Sequence, residues 1–269
     1  MKILKPEKES ELLTFGGHLE VLRRMLFRVC GLAACVAVFV FCFKEETFKL
    51  LLAPSEWDFV TYRWIERGIR CWDGGFHFEE FHVDLIATEL SSQFMTHVTT
   101  AIYLGLLGAS PYIVYELFRF VSPALYENEK KYSVQVVSVV YSLFIIGILM
   151  SYYVLFPVSF RFLGTYSVAE SVRSTITLDS YISTFVTLSL LMGVVFQLPV
   201  IAFFLAKMEI VNSRMLSTYR RHAFLAILII SAVITPPDIL TLVLVAIPLY
   251  LLYEISIWMI RRVEKPKKA

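Results

Sequence analysis

The sequence predicts an all-α integral membrane protein with six transmembrane helices and both termini in the cytoplasm. Three observations predict it: a high apolar content, six apolar runs, and basic residues concentrated in alternate loops. Of the 269 residues, 57% are hydrophobic and only 18% are charged, whereas soluble domains are normally about 45–50% apolar. Lipid must therefore cover much of the surface, and a soluble enzyme is excluded.

The apolar runs set the helix count. A hydrocarbon core about 30 Å thick needs about 20 apolar residues at a rise of about 1.5 Å each, and polar or proline-marked breaks separate six runs. The last two helices are predicted to be short, because the fifth run is brief and the sixth is apolar only as far as Tyr253. The runs are Met25–Phe43, Thr96–Phe120, Val134–Phe156, Tyr181–Ala206, His222–Thr235 and Ile239–Ile260.

The orientation follows from the distribution of lysine and arginine. One set of alternate segments, which includes both termini, holds 18 of the 25 basic residues, and the other set holds 7. Positive residues near helix ends are retained on the cytoplasmic side. Both termini are therefore predicted to be cytoplasmic.

The chain is predicted to be one transmembrane domain, residues 1–269, with a long outer loop over 44–92, part of which packs on the membrane surface. His77 and His82 in this loop match no zinc motif with Glu79 and Glu80, so we expect a solvated loop and no metal. The four cysteines have neither a metal-ligand nor a disulfide-like spacing. No cofactor is expected.

Ordered motifs on matching helices and loops give the chain a family resemblance. Together they resemble the TatC family, whose members are the six-helix, signal-recognising subunits of the twin-arginine protein translocase. The resemblance extends from Thr14 to Trp258, although the outer loop is enlarged. The motifs are His18-Leu19-Glu20-Val21-Leu22-Arg23-Arg24, Phe120-Val121-Ser122-Pro123-Ala124-Leu125-Tyr126-Glu127-Asn128-Glu129-Lys130, Phe196-Gln197-Leu198-Pro199-Val200, Thr235-Pro236-Pro237-Asp238, Ala246-Ile247-Pro248-Leu249 and Tyr253-Glu254-Ile255-Ser256.

The resemblance implies a function as well as a fold. It implies a concave, glove-like bundle in the inner membrane of a bacterium. There the chain would bind the twin-arginine signal peptides of folded precursor proteins at the cytoplasmic face. It would assemble with small single-helix subunits of the TatA and TatB type into an oligomeric complex driven by the proton-motive force, without enzymatic chemistry and without nucleic acid.

The first candidate signal-binding residues lie where helix one emerges into the cytoplasm as an amphipathic segment. Glu20 can pair locally with Arg23 or Arg24, an interaction worth about 0.2–0.5 kcal/mol. Alternatively, Glu20 receives the arginines of a signal peptide, since guanidinium groups bind carboxylates bidentately. The family usually carries glutamate at the position of Val21, and Arg23 completes this part of the candidate set.

The second candidate patch follows helix two. Glu129 matches the signal-contacting glutamate of the family and Phe120 matches an aromatic residue used there, while Lys130 and Lys131 compete for the carboxylate. A solvated charged loop is the alternative. Glu129 is predicted to be the principal acceptor and Glu20 the secondary one.

Further polar positions have structural interpretations beside functional ones. Gln197 is expected inside the bilayer as an interhelical hydrogen-bonding group or a water-attracting site. Thr235 is interpreted as a helix cap and Asp238 as the capping-box acid, with a partner contact as the alternative for Asp238. Pro54 matches a family position in a loop, and Glu254 and Glu116 are expected near the cytoplasmic headgroups, either paired or snorkelling.

Two other function classes compete. A small-solute transporter would be supported by Gln197 and broken helices, but buried charge is sparse and no internal repeat is visible. An intramembrane protease would need a nucleophile elbow or paired catalytic residues inside helices. The sequence has no such set.

Overall fold

The computed structural model describes residues 15–70, 81, 83–121, 133–167, 169, 175–208, 210–235 and 238–264. These residues are almost entirely helical. The helices are α1 Phe15–Cys42, α2 Lys44–Leu52, α3 Val60–Arg70, α4 Ser92–Val121, α5 Ser133–Met150, α6 Phe156–Thr165, α7 Leu178–Val195, α8 Leu198–Lys207, α9 Ser213–Thr218, α10 Arg220–Ile234 and α11 Ile239–Val263; the strands are β1 Leu85–Ile86 and β2 Ile176–Thr177.

Within these ranges, five helical segments are long and apolar enough to cross a membrane, and each coincides with a predicted run. They are Leu19–Cys42, Ser92–Glu116, Val137–Thr165, Leu178–Lys207 and Ile239–Arg262. The predicted fifth run is α10, which has only 15 residues. The prediction of a short helix is confirmed there but is wrong for α11, which has 25 residues, because its polar last turns remain helical.

The third membrane helix is longer than predicted. Instead of ending at Phe156, it passes through a π-helical turn at Ser151–Leu155 and continues as α6 to Thr165. The added turns are stabilised by aromatic packing, because Phe160 stacks edge-on against Tyr181 with ring centroids 5.0 Å apart. Sequence hydropathy could not show this, since the partner side chain comes from another helix.

Close packing joins α1 and α4 as antiparallel neighbours. A Cβ added to Gly105 would lie 2.7 Å from the Ala33 carbonyl oxygen, and one added to Gly108 would lie 2.8 Å from a Val36 methyl group. The two backbones can approach this closely only where one helix lacks side chains, as small residues allow in membrane helix pairs.

The outer loop supplies α2, α3 and β1 of a cap, and β2 joins the cap from the segment between α6 and α7. The strands pair in parallel, Leu85 with Ile176 and Ile86 with Thr177. The Tyr62 hydroxyl of α3 lies 2.9 Å from the Pro157 carbonyl oxygen and 3.0 Å from the Pro54 carbonyl oxygen, and its single proton is shared between these two acceptors. Burial raises the pKa of the Tyr62 phenol, so the phenol stays protonated and remains a donor. We call this side of the bundle the cap end and the opposite side the Glu20 end.

Arg161 of α6 fastens the cap to the membrane helices. Its guanidinium carbon lies 5.5 Å from the ring centre of Tyr62 and 4.9 Å from that of Phe81. Cation–π contacts of this kind contribute about 0.5–2 kcal/mol each, depending on their exposure to water. The described part of the cap is therefore a packed part of the fold. His77, Glu79, Glu80 and His82, for which the sequence predicts a solvated loop, lie outside the described residues.

Candidate functional site

At the Glu20 end, an ion pair holds α1 against α4. Arg28 Nη1 lies 2.9 Å from Glu116 Oε1, and Tyr112 donates to the same oxygen at 2.7 Å. The Glu116 side chain is only 5% exposed. A carboxylate removed from water needs such partners, so the alternative that Glu116 is paired is confirmed.

Glu20 lies about two turns beyond Arg28 on α1 and is open to solvent. It forms an ion pair with Arg24, and the two side chains are 52% and 67% exposed. Exposed pairs contribute about 0–1 kcal/mol, so a competing guanidinium can displace Arg24 at little cost. Arg23 and Val21 are also exposed.

Phe120 belongs to the last turn of α4, on the same side of the bundle as Glu20. The structure therefore brings the chain positions of Glu20, Arg23 and Phe120 to one end of one helix pair. Glu129 and the loop around it lie outside the described residues.

Gln197 occupies a break in the fourth membrane helix, between the end of α7 and the start of α8. Its amide nitrogen donates to the Val140 carbonyl of α5 at 3.1 Å, and the Gly193 carbonyl lies 3.4 Å away. Its oxygen is buried and has no hydrogen-bond partner among the described residues. The predicted interhelical hydrogen bond is therefore present, and one acceptor stays open.

An ion pair joins α10 to α11 at one end of the bundle, and a side-chain cap begins α11 at the other. At the Glu20 end, Arg220 of α10 donates to Glu254 of α11 at 2.8 Å. At the cap end, Asp238 caps α11 by accepting from the Thr241 amide at 2.7 Å. Thr235 does not cap α11: its hydroxyl bonds back to the Ser231 carbonyl at 2.9 Å, which ends α10. The predicted roles of Thr235 and Asp238 were therefore wrong, because the cap lies three residues later.

Comparison with known proteins assigns the chain. The family model described as Sec-independent protein translocase protein (TatC) matches residues 17–248. The chain belongs to the TatC family. A TatC protein of Blattabacterium sp. subsp. Periplaneta americana is 33% identical over 268 residues, which is 98% of this chain and 100% of the relative. Another, of Desulforapulum autotrophicum, is 32% identical over 250 residues, covering 93% and 85%.

Solved structures agree with this assignment. A crystal structure described as the twin-arginine translocase receptor TatC superposes with a TM-score of 0.72 at 27% identity, covering 92% of this chain and 100% of that one. A second, of the same receptor in DDM, gives 0.71 at 28% identity, with 90% and 99% covered. The chain is thus a membrane subunit of a bacterial Sec-independent, twin-arginine translocase, a transport component rather than a classical enzyme.

Within this TatC fold, Pro54 has a structural role. It is buried in a short helical turn, Ala53–Ser55, and its carbonyl accepts from Tyr62. Sequence reasoning missed this bond, the Arg161 contacts and the partner of Glu116. The signal for the last was present, since Arg28 and Glu116 are opposite charges near matching ends of two antiparallel runs.

Proposed function

We propose that this TatC protein binds the twin-arginine signal peptides of folded precursors at the cytoplasmic face of the inner membrane. Glu129 is the principal acceptor of the arginines and Glu20 the secondary one, with Phe120 and Arg23 completing the surface. The observation that carries the proposal is the Arg28–Glu116 ion pair, which holds the Glu20-bearing end of α1 beside the Phe120-bearing end of α4.

The state of Glu20 supports an exchange mechanism. Its present partner, Arg24, is as exposed as Glu20 itself, so the bond is weak and water already reaches both groups. An arginine from a signal peptide can replace Arg24 without leaving a buried charge. Glu116 is unsuited to this role because Arg28 and Tyr112 already occupy it in a nearly buried position.

A six-helix topology with both termini in the cytoplasm fits this surface. α10 would add a sixth membrane crossing to the five described spans, and it would be the fifth in chain order. It would cross between Arg220 and Thr235. Eighteen of the 25 lysines and arginines then lie in the termini and the loops of the Glu20 side, as retention of positive charge on the cytoplasmic side requires.

The same chain would scaffold an oligomeric export complex. Small single-helix subunits of the TatA and TatB type would pack against its lipid-exposed helices, and the proton-motive force would drive transport. Asp238 caps the start of α11 and Glu254 pairs with Arg220 of α10, so each would support a partner helix at its end of α11.

Binding of a fluorescent twin-arginine signal peptide to the full chain in lipid nanodiscs tests the proposal. We expect saturable binding that is lost when both arginines of the peptide are replaced by lysine, since lysine cannot form the paired hydrogen bonds of guanidinium. Equal affinity for the twin-lysine peptide would contradict the proposal. When the chain is purified from native membranes in detergent, single-helix subunits should copurify with it. Recovery of a bound solute without these subunits would favour a transporter.

A further inference from the structure

The cap carries an exposed face that combines tryptophan with arginine. Trp57, just before α3, is 48% exposed, and Val60 and Trp64 on α3 are 40% and 66% exposed. A cluster of exposed apolar side chains on a packed domain usually marks a surface that contacts a membrane or another protein. We call the surface formed by Trp57, Val60, Trp64 and Arg67 the α3 outer face.

The helical periodicity of α3 shows that the protein covers only part of its apolar side. At about 3.6 residues per turn, the apolar arc runs from Val60 and Trp64 through Ile65 to Ile69 and Tyr62. The Tyr62 side packs into the cap, where Tyr62 is 2% exposed. The Trp64 edge of the same arc faces outward and is not covered by the described part of the protein. Another surface must therefore cover it.

The depth of α3 identifies that surface. Its Thr61 hydroxyl donates to the Tyr153 carbonyl and its Tyr62 hydroxyl to the Pro157 carbonyl. Tyr153 lies about 30 Å along the third membrane helix from Ser133, at about 1.5 Å per residue, which equals the thickness of a hydrocarbon core of about 30 Å. α3 therefore lies level with the headgroups at the cap end.

The charges of the α3 outer face fit anionic headgroups. Arg63 pairs with Asp58 at 2.9 Å. Arg67 is exposed and has no ion pair within the described part of the chain. Arg67 lies one turn beyond Trp64, so the two share an edge of the helix. Tryptophan at the headgroup level with arginine beside it is the arrangement of interfacial helices.

We propose that the α3 outer face binds the outer-leaflet surface of the bilayer, with Trp57 and Trp64 at the headgroup boundary and Arg67 on the phosphates of anionic phospholipids. Lipid contact would hold the cap, and through Tyr62 the third membrane helix, at a fixed depth. A second copy of the chain fits less well, because a twofold contact brings both Arg67 side chains together.

Tryptophan quenching in vesicles tests the proposal. The full chain carries four tryptophans; replacing Trp57, Trp72 and Trp258 by phenylalanine leaves Trp64 as the reporter. The matched reference retains Trp258, which lies in the last membrane span, and replaces the other three. In phosphatidylcholine and phosphatidylglycerol vesicles with brominated acyl chains, we expect Trp64 to lose as much emission as Trp258 and to resist aqueous iodide.

Two results would overturn the lipid assignment. One is quenching of Trp64 by iodide with no effect of brominated lipid. The other is protection from both quenchers that disappears on dilution of protein in lipid, which would assign the face to a second copy. In a second experiment, adding phosphatidylglycerol should increase lipid quenching of Trp64 in the variant that retains only this tryptophan, but not when Arg67→Gln is added to it. An equal increase with and without Arg67→Gln would show that Arg67 does not bind anionic lipid.

Discussion

Arg28 of α1 and Glu116 of α4 form an ion pair at 2.9 Å between side chains of very different exposure, 47% and 5%. The arginine can leave for water and the carboxylate cannot. Together with the close approach at Gly105 and Gly108, this pair fixes how α1 lies on α4. The position of the proposed signal-binding surface depends on it.

Removing the arginine should therefore destabilise the protein. We expect Arg28→Met to lower the free energy of unfolding by about 1–3 kcal/mol, the usual cost of leaving a buried polar group without its partner. Thermal unfolding in detergent measures it. The matched control is Arg24→Met, whose partner Glu20 is exposed, and it should change stability by less than about 0.5 kcal/mol. Equal losses in both variants would show that burial of Glu116 is unimportant.

Gln197 should contribute a measurable interhelical bond. Gln197→Leu removes the hydrogen bond to the Val140 carbonyl, and we expect a loss of roughly 1 kcal/mol in unfolding free energy, as for other polar contacts between membrane helices. Gln197→Asn is the matched control, because it keeps the amide but is one methylene shorter and should lose a similar amount. Full stability of both variants would contradict the assignment of this bond.

The proposed topology predicts which loops can be labelled from outside. In a background without the native cysteines, single cysteines at Asp73 and Ser171 should react with a membrane-impermeant reagent in intact cells. Cysteines at Asn128 and Arg214 should react only after permeabilisation. Arg214 is suitable because it is exposed, whereas the neighbouring Ser213 is buried against Glu264. External labelling at Asn128 would contradict the proposed orientation.

α10 should thin the bilayer around it. Its 15 residues span about 22 Å, against a core of about 30 Å. A mismatch of this size costs fractions of a kcal/mol per Å. Lengthening α10 by one apolar turn should reduce export while signal-peptide binding stays normal. Undiminished export would count against thinning.

Hydropathy predicted the membrane helices well because it reflects transfer between water and lipid. The apolar runs located every described span, and the amphipathic segment predicted before Met25 is confirmed as helical, because α1 begins at Phe15. Family resemblance supplied what these patterns do not contain, namely the identity of the candidate signal-binding residues.

The parts that the sequence did not predict depend on partners from distant segments. The Arg161 contacts need Tyr62 and Phe81 from the cap, and the extension of helix three to Thr165 needs Tyr181. A local pattern can show that Thr235 and Asp238 suit caps. It cannot decide which of them begins α11, because that choice depends on where α10 stops.

The most direct test of the central claim is crosslinking of a twin-arginine signal peptide to charge-neutral variants of the two candidate acceptors. Glu129→Gln should abolish or strongly weaken the crosslink while membrane insertion and abundance stay normal. Glu20→Gln should weaken it less, since Arg24 already shares that carboxylate. If Glu129→Gln binds the signal peptide as tightly as the parent and Glu20→Gln does not, the assignment of the two carboxylates is wrong.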